Sequence, residues 1–170
     1  MYDLKSKKLF LLDMDGTLYL DDELFPGAAE FLALVKARGG RYLFLTNNSS
    51  KGVKSYVEKM DRLGIRTTED DFLTSVDALI VYLNLNYGDC AGGKKIYIMG
   101  TSSFKDQMAD AGFNITDRLE DDIAMLIIGF DRELTFGKLE DACILLGRGV
   151  EYLATNPDWV CPTSYGFVPD

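Results

Sequence analysis

An α/β protein built on parallel strands is the fold class that this sequence predicts, and three observations predict it. Short apolar runs alternate with amphipathic ones along the whole chain. The recurring order is apolar run, Thr or Ser, amphipathic run, Gly, which is the order of a strand, a cap, a helix and its stop. With 170 residues, 47% of them hydrophobic, the chain can bury a real core as one ordinary domain or two small ones.

Element by element, "KLFLLD" reads as a buried strand, and "GAAEFLALVKARGG" as a helix with Phe31, Leu32 and Val35 inward, ended by Gly39 and Gly40. "RYLFLTNN" is a second strand. Ser49 or Ser50 is then placed to cap "KGVKSYVEKMDRLG", where Val53, Val57 and Met60 recur at helical spacing and Gly64 marks the stop. "DFLTS" reads as a short third strand, with Ser75 able to cap "VDALIVYLNLN". At "NYGDCAGGKK" the composition turns to Gly and polar residues, the best candidate for a boundary or hinge. A second series follows: "KKIYIMG", "SFKDQMADAG", "IAMLIIGF", "TFGKLEDACILLG" and "VEYLATN". Two domains are expected, residues 1–82 and 83–170, with no fixed-period repeat.

Bulk chemistry removes several function classes. A formal net charge of −9 sets a field that repels phosphate backbones and anionic lipids, so neither nucleic acid nor membrane is an expected partner. Histidine is absent, which excludes serine–histidine triads and nearly every catalytic zinc arrangement. Cys90, Cys143 and Cys161 are odd in number and far apart, so reduced thiols and a cytoplasmic location are expected, with no disulfide framework or zinc site. The opening residues do not resemble a signal peptide, and no run approaches a membrane span.

The chemistry concentrates in "LFLLDMDGTLYL", where an apolar run ends on Asp13 and Asp15. In an open parallel sheet, ligands bind beyond the carboxyl ends of the strands. Carboxylates at i and i+2 of an extended chain share a face, while Met14 turns toward the packing. Two such charges repel unless a cation sits between or beside them, and Mg2+, a hard ion that takes carboxylate oxygens and substrate phosphate together, is the natural candidate. Gly16 permits a tight turn that brings backbone N–H groups toward an anion. A calcium loop starting at Asp13 is not matched, since its fifth, sixth and twelfth places hold Thr17, Leu18 and Leu24. A solvated turn, or an aspartate pair that holds metal without covalent chemistry, are the other readings of the motif alone. The second strand tips the balance: it ends in Thr46 and Asn47, small hydrogen-bonding residues able to donate to phosphoryl oxygens, although alone they also read as a capping turn.

With "DMDGTLY" followed by "TNNSS", the chain resembles the haloacid dehalogenase superfamily of phosphatases. Its landmarks "PGAAEFL", "LGI", "LTS", "IIGFDRELTFGKLEDA" and "ATNPDWVCPT" are similar to the branch of p-nitrophenylphosphatases, phosphoglycolate phosphatases and NagD-like sugar phosphatases. The resemblance covers almost the whole chain. It implies a Rossmann-like parallel core, here its N-terminal half, with an inserted α/β cap domain. It also implies hydrolysis of a small phosphomonoester through an aspartyl phosphate on Asp13, with Asp15 as acid and then base. Mg2+ would be held by the Asp13 carboxylate and the Asp15 backbone carbonyl, with Gly16, Thr46 and Asn47 at the phosphate. In the cap loop, Asn156, Asp158 and Cys161 match specificity positions and Trp159 a possible wall; an Asn-Pro-Asp turn is the other reading of that segment.

One departure stands out. The family's third-motif lysine and fourth-motif acidic pair have no counterpart before "YGFVPD", and Lys51 is at most a weak substitute. A strand bearing Asp13 would normally be central, so an apolar edge open to association, or a homo-oligomer, is expected. The expectation is therefore a piece of a chain about 80 to 100 residues longer, inactive by itself. The rival expectation, from a different class, is a short form that binds a phosphorylated ligand or a protein partner without catalysis.

Overall fold

The computed structural model describes residues 6–169, and in them the backbone divides into two compact units, which are taken separately. The first unit comprises residues up to Thr46, then Val53–Leu73 and Trp159–Pro169. The second comprises Asn47–Gly52 and Thr74–Asp158.

In the first unit, β1 (Leu9–Asp13) pairs in parallel with β4 (Arg41–Thr46), Leu9 opposite Arg41 and Asp13 opposite Leu45. The short β5 (Phe72–Thr74) completes a sheet of order β1-β4-β5. Between β1 and β4 come a small antiparallel pair, β2 (Tyr19–Leu20) and β3 (Glu23–Leu24), and helix α1 (Ala28–Ala37). Helix α2 (Val53–Arg62) follows β4.

Strand alternation decides the core. Phe10, Leu12, Tyr42, Phe44 and Phe72 face the helices, where they meet Leu32 and Val35 of α1 and Tyr56 and Met60 of α2 in one cluster. Phe44 is fully buried, its ring centroid 4.9 Å from Tyr42 and 5.3 Å from Phe72. The intervening residues point the other way, and there Leu9 and Leu11 remain 57% and 58% exposed. Parallel strands usually carry cover on both faces. Among the described residues β1 pairs on one side only, so the strand that ends in Asp13 lies at the sheet's edge with an apolar face open.

The second unit is a four-stranded sheet in the order β7-β6-β8-β9, parallel throughout: β6 (Lys95–Met99), β7 (Ile115–Thr116), β8 (Ile123–Ile128) and β9 (Glu151–Ala154). Ile96, Ile98, Met125 and Ile127 pack on one face against α3 (Ser75–Tyr87) and α4 (Ser102–Asp110). Tyr97 and Leu126, one register step away, pack on the opposite face against Ala142 and Leu145 of α5 (Phe136–Gly147). The result is a helix–sheet–helix sandwich whose two apolar layers follow from the period-two alternation of β6 and β8.

Where the chain passes from β5 into α3, the cap differs from expectation. Thr74, not Ser75, is the N-cap: its hydroxyl accepts from the Asp77 N–H at 3.2 Å, while the Asp77 carboxylate accepts from the Thr74 N–H at 2.9 Å. Ser75 instead donates its hydroxyl to the Asn47 carbonyl at 2.9 Å. A reciprocal capping box satisfies two helix-end donors at once, which favours Thr74 with an acidic residue three places on. Thr74→Ala is expected to destabilise the second unit by about 1 kcal/mol, read as a lower denaturant midpoint at unchanged slope. The expected division between residues 82 and 83 falls inside α3, which continues to Tyr87, and the Gly-rich stretch after it is a 3-10 turn, Asp89–Gly93.

The hairpin β10 (Val160–Thr163) and β11 (Gly166–Pro169) is antiparallel and belongs to the first unit. Its turn is tied to the β2–β3 turn, where the Asp21 carboxylate accepts from the Ser164 N–H at 2.9 Å. Cys143 and Cys161 are free thiols, and Cys90 lies outside the described side chains. Among the described residues no helix is long and apolar enough to cross a membrane.

Candidate active site

β1 delivers Asp13 to its carboxyl end, where the chain leaves the sheet in a tight loop built around Met14. The N–H groups of Thr17, Leu18 and Tyr19 all reach the Met14 carbonyl, at 3.2, 2.9 and 3.4 Å. The Met14 side chain is fully buried, so the residue between the two aspartates anchors the loop to the core while Asp13 and Asp15 remain at the rim. Thr17 donates its hydroxyl to Asp13 Oδ2 at 2.7 Å, which fixes the plane of that carboxylate.

The glycine of the motif works through its conformation. Gly16 adopts φ 78°, a left-handed geometry that other residues rarely take, and its N–H donates to the Tyr19 carbonyl at 2.8 Å. That amide is thus committed inside the loop, and Gly16 contributes the left-handed turn rather than its own donor. Gly16→Ala would place its Cβ 3.8 Å from Pro162 Cγ, an ordinary contact, so the cost is backbone strain alone. We expect a loss of about 1–2 kcal/mol in unfolding free energy, measured by chemical denaturation.

Thr46 closes β4, one residue beyond the partner of Asp13, so strand register brings the ends of both motifs to one rim of the first unit. Its side chain is buried and shares a hydrogen bond with the Tyr56 hydroxyl of α2. Burial pushes the Tyr56 phenol well above the usual tyrosine range despite that bond, and the nearby Asp15 charge adds to the shift. Tyr56 is therefore a neutral group that holds Thr46 in place. Cys161, carried by the β10–β11 hairpin, lies within electrostatic reach of the same phenol, so the first unit gathers Asp13, Asp15, Gly16, Thr46 and Cys161.

Asn47, Asn156 and Asp158 belong to the second unit. Asn47 Nδ2 donates to the Asp158 carboxylate, so two residues expected to meet substrate bond each other there. An amide nitrogen carries two N–H donors, and this bond uses one. Asn156 Nδ2 is buried with no hydrogen-bond partner among the described residues. Trp159 is almost fully exposed in the first unit.

Ser49 and Ser50, expected to cap α2, lie ahead of its first residue, Val53, and hold the loop by other bonds. Ser49 is completely buried, its oxygen accepting from the Phe130 N–H at 2.9 Å and bonded to the Thr155 hydroxyl at 3.0 Å. Thr101 donates to the Ser50 carbonyl at 3.0 Å, and the Ser103 hydroxyl accepts from the Gly52 N–H at 3.0 Å. These serines pin the loop to residues following β6, β8 and β9 in the second unit, a role that no local sequence rule for caps distinguishes.

The donor set suits a hard divalent ion. Among the described residues no three His, Cys, Asp or Glu side chains converge, and the residues at this rim that offer oxygens to a cation are Asp13 and Asp15. Mg2+ in phosphate-handling sites typically takes one or two carboxylates and completes its shell with water and substrate oxygens, and this rim offers that set.

A family model described as haloacid dehalogenase-like hydrolase matches residues 10–114. The chain belongs to the haloacid dehalogenase-like hydrolases. Among curated relatives of this haloacid dehalogenase-like chain, an acid sugar phosphatase of Staphylococcus aureus is 29% identical over 98% of the chain and 62% of its own length. A 4-nitrophenylphosphatase from Thermotoga maritima superposes with a TM-score of 0.87 at 40% identity, covering 98% of this chain and 61% of its own. A glycerol phosphate phosphatase from Mycobacterium tuberculosis, in complex with magnesium, superposes with a TM-score of 0.83 at 27% identity, over 97% of this chain and 49% of its own. The chain thus spans about three fifths of the length of the curated relatives it matches.

Proposed function

We propose that the complete protein hydrolyses small phosphomonoesters, with Asp13 as nucleophile and Asp15 as general acid and base. The observation that carries this reading is the register of β1 and β4, which ends the D-x-D-G-T loop and Thr46 at one rim. Asp13 attacks phosphorus, a bond forms from its carboxylate oxygen, and the ester oxygen leaves with a proton from Asp15. Asp15 then takes a proton from water, whose oxygen attacks phosphorus and returns Asp13 as a carboxylate. Thr17 holds the Asp13 carboxylate in one orientation throughout. Thr46, positioned by Tyr56, donates to a phosphoryl oxygen, and Asn47 supplies a second donor.

Mg2+ bound by the Asp13 carboxylate and the Asp15 carbonyl would offset charge on the transferring oxygens. In this reading the first unit is the N-terminal half of the catalytic core and the second the cap, with Asn156 and Asp158 of the second unit and Cys161 of the first as selecting residues. The relatives, an acid sugar phosphatase, a 4-nitrophenylphosphatase and a glycerol phosphate phosphatase, support an alkyl or aryl phosphomonoester as the substrate class. Free Cys143 and Cys161 support a cytoplasmic setting. The test is release of inorganic phosphate from p-nitrophenyl, glycerol and hexose phosphates by the full-length protein, with Mg2+ and with chelator. Turnover that needs Mg2+ supports the reading, and no turnover of any of them overturns it.

A further inference from the structure

We propose that Lys59 is a positioning residue for Asp15, clamping its carboxylate for proton delivery to the leaving group; this rests on the phosphatase reading above. Lys59 sits on α2, three residues after the buried Tyr56 and one before the buried Met60. Its side chain is only 12% exposed, far less than a lysine on a solvated helix face. An ammonium withdrawn from water to that extent needs compensation, and two groups of the motif loop supply it. Nζ lies 3.7 Å from the centroid of the Tyr19 ring and 3.9 Å from Asp15 Oδ1.

The platform under Lys59 is rigid. Tyr19 is fully buried, and its backbone is tied to the same tight loop by an isolated bridge to Asp15 and by the bond from the Gly16 N–H. Its hydroxyl has no hydrogen-bond partner among the described residues, so at this point the ring face is what Tyr19 contributes. Burial, then the Asp15 charge, raise the phenol far above the usual tyrosine range, so the ring stays neutral beside the ammonium.

Asp15 is 34% exposed and stands at the rim, and the Lys59 ammonium is one of the groups that its carboxylate meets there. An ammonium fixed over Tyr19 draws Oδ1 toward α2 and so sets how the carboxylate is presented at the rim. General acid catalysis requires this kind of placement before any other property of the group matters. Lys59 is thus one cross-link between helix α2 and the catalytic loop, and the effect proposed for it runs through Asp15.

The leaving group provides the test. An alkyl phosphate must receive a proton as its ester bond breaks, whereas p-nitrophenolate departs without one. For a two-step reaction kcat/KM reports the steps up to departure of the first product. In the full-length protein, Lys59→Met is expected to lower kcat/KM about 10- to 100-fold on the alkyl phosphomonoester that the wild type turns over fastest, a fraction of the effect of losing the acid itself. On p-nitrophenyl phosphate the same ratio should stay within about threefold, inhibition by inorganic phosphate should be unchanged, and Lys59→Arg should recover most of the loss. Equal losses on both substrates would mark a structural role and overturn the proposal, as would no loss on the alkyl substrate. Should Lys59→Met fail to fold, Lys59→Gln carries the same comparison, with the same outcomes deciding. Asp13→Asn is run beside them: an active Asp13→Asn enzyme overturns the nucleophile role on which the phosphatase mechanism rests, whereas an inert one with a flat Lys59 response overturns only the positioning role.

Discussion

Asp13→Asn in the full-length protein is expected to reduce turnover of p-nitrophenyl phosphate by a factor on the order of 10⁴ or more, the scale on which loss of a covalent nucleophile is felt. An amide cannot attack phosphorus as a carboxylate does, and it removes a negative charge that Mg2+ would need. The fold should hardly notice. Asp13 is exposed at the end of β1 among the described residues, and an Asn Oδ1 can still accept the Thr17 hydroxyl that now reaches Asp13 Oδ2 at 2.7 Å. Unfolding free energy within about 0.5 kcal/mol of wild type, as for a surface substitution, would separate a chemical loss from a structural one. Steady-state assay beside chemical denaturation checks both halves.

The second large effect belongs to Asp15, and it should depend on the leaving group. With an alkyl phosphomonoester, Asp15→Asn is expected to cost about 10²- to 10⁴-fold in kcat/KM, because the acid that protonates the departing oxygen is lost. With p-nitrophenyl phosphate the first step needs no proton, so it should survive, while the second step loses the base that activates water. A rapid-quench or stopped-flow record should then show a burst of p-nitrophenolate near one equivalent of enzyme, followed by slow release. A linear trace at the wild-type rate would contradict the role given to Asp15. The Lys59 comparison asks a related question one residue further out, since Lys59 contacts Asp15 and not the substrate in this account.

Much of this was legible in the sequence, for identifiable reasons. Each long strand announces itself as an apolar run ending in small or acidic residues, and "KIYIM" and "IAMLII", apolar on both of their alternating faces, fit a sheet covered on two sides. The motif carboxylates were readable because strand geometry sends i and i+2 to one side and buries Met14 between them. The paired hairpins β2–β3 and β10–β11 were not, since strands of two to four residues carry too little alternation to register. Thr74 and Ser75 are both good caps by type; what decides between them is Asp77, three residues after Thr74.

Other residues eluded the sequence because their meaning is tertiary. Ser49 sits in a polar run and looks like a capping residue, yet it is fully buried against the N–H of Phe130, 81 residues away. Lys59 looks like a solvated helix charge until the Tyr19 ring is found beneath it. A signal did exist: Lys59 stands between the buried Tyr56 and Met60, on the flank of the apolar stripe rather than opposite it. Gly16 gave the reverse case, where residue type foretold the left-handed turn but could not say that its amide would be spent on Tyr19.

The account stands or falls on where the phosphoryl group rests between the two steps. Full-length protein mixed with a phosphomonoester and Mg2+ should be quenched in acid within one turnover and digested, and its peptides weighed. A phosphorylated peptide whose acyl phosphate lies on Asp13 and is discharged by hydroxylamine is the predicted result. Phosphate on any other side chain, or none while product is still being released at the normal rate, would contradict it.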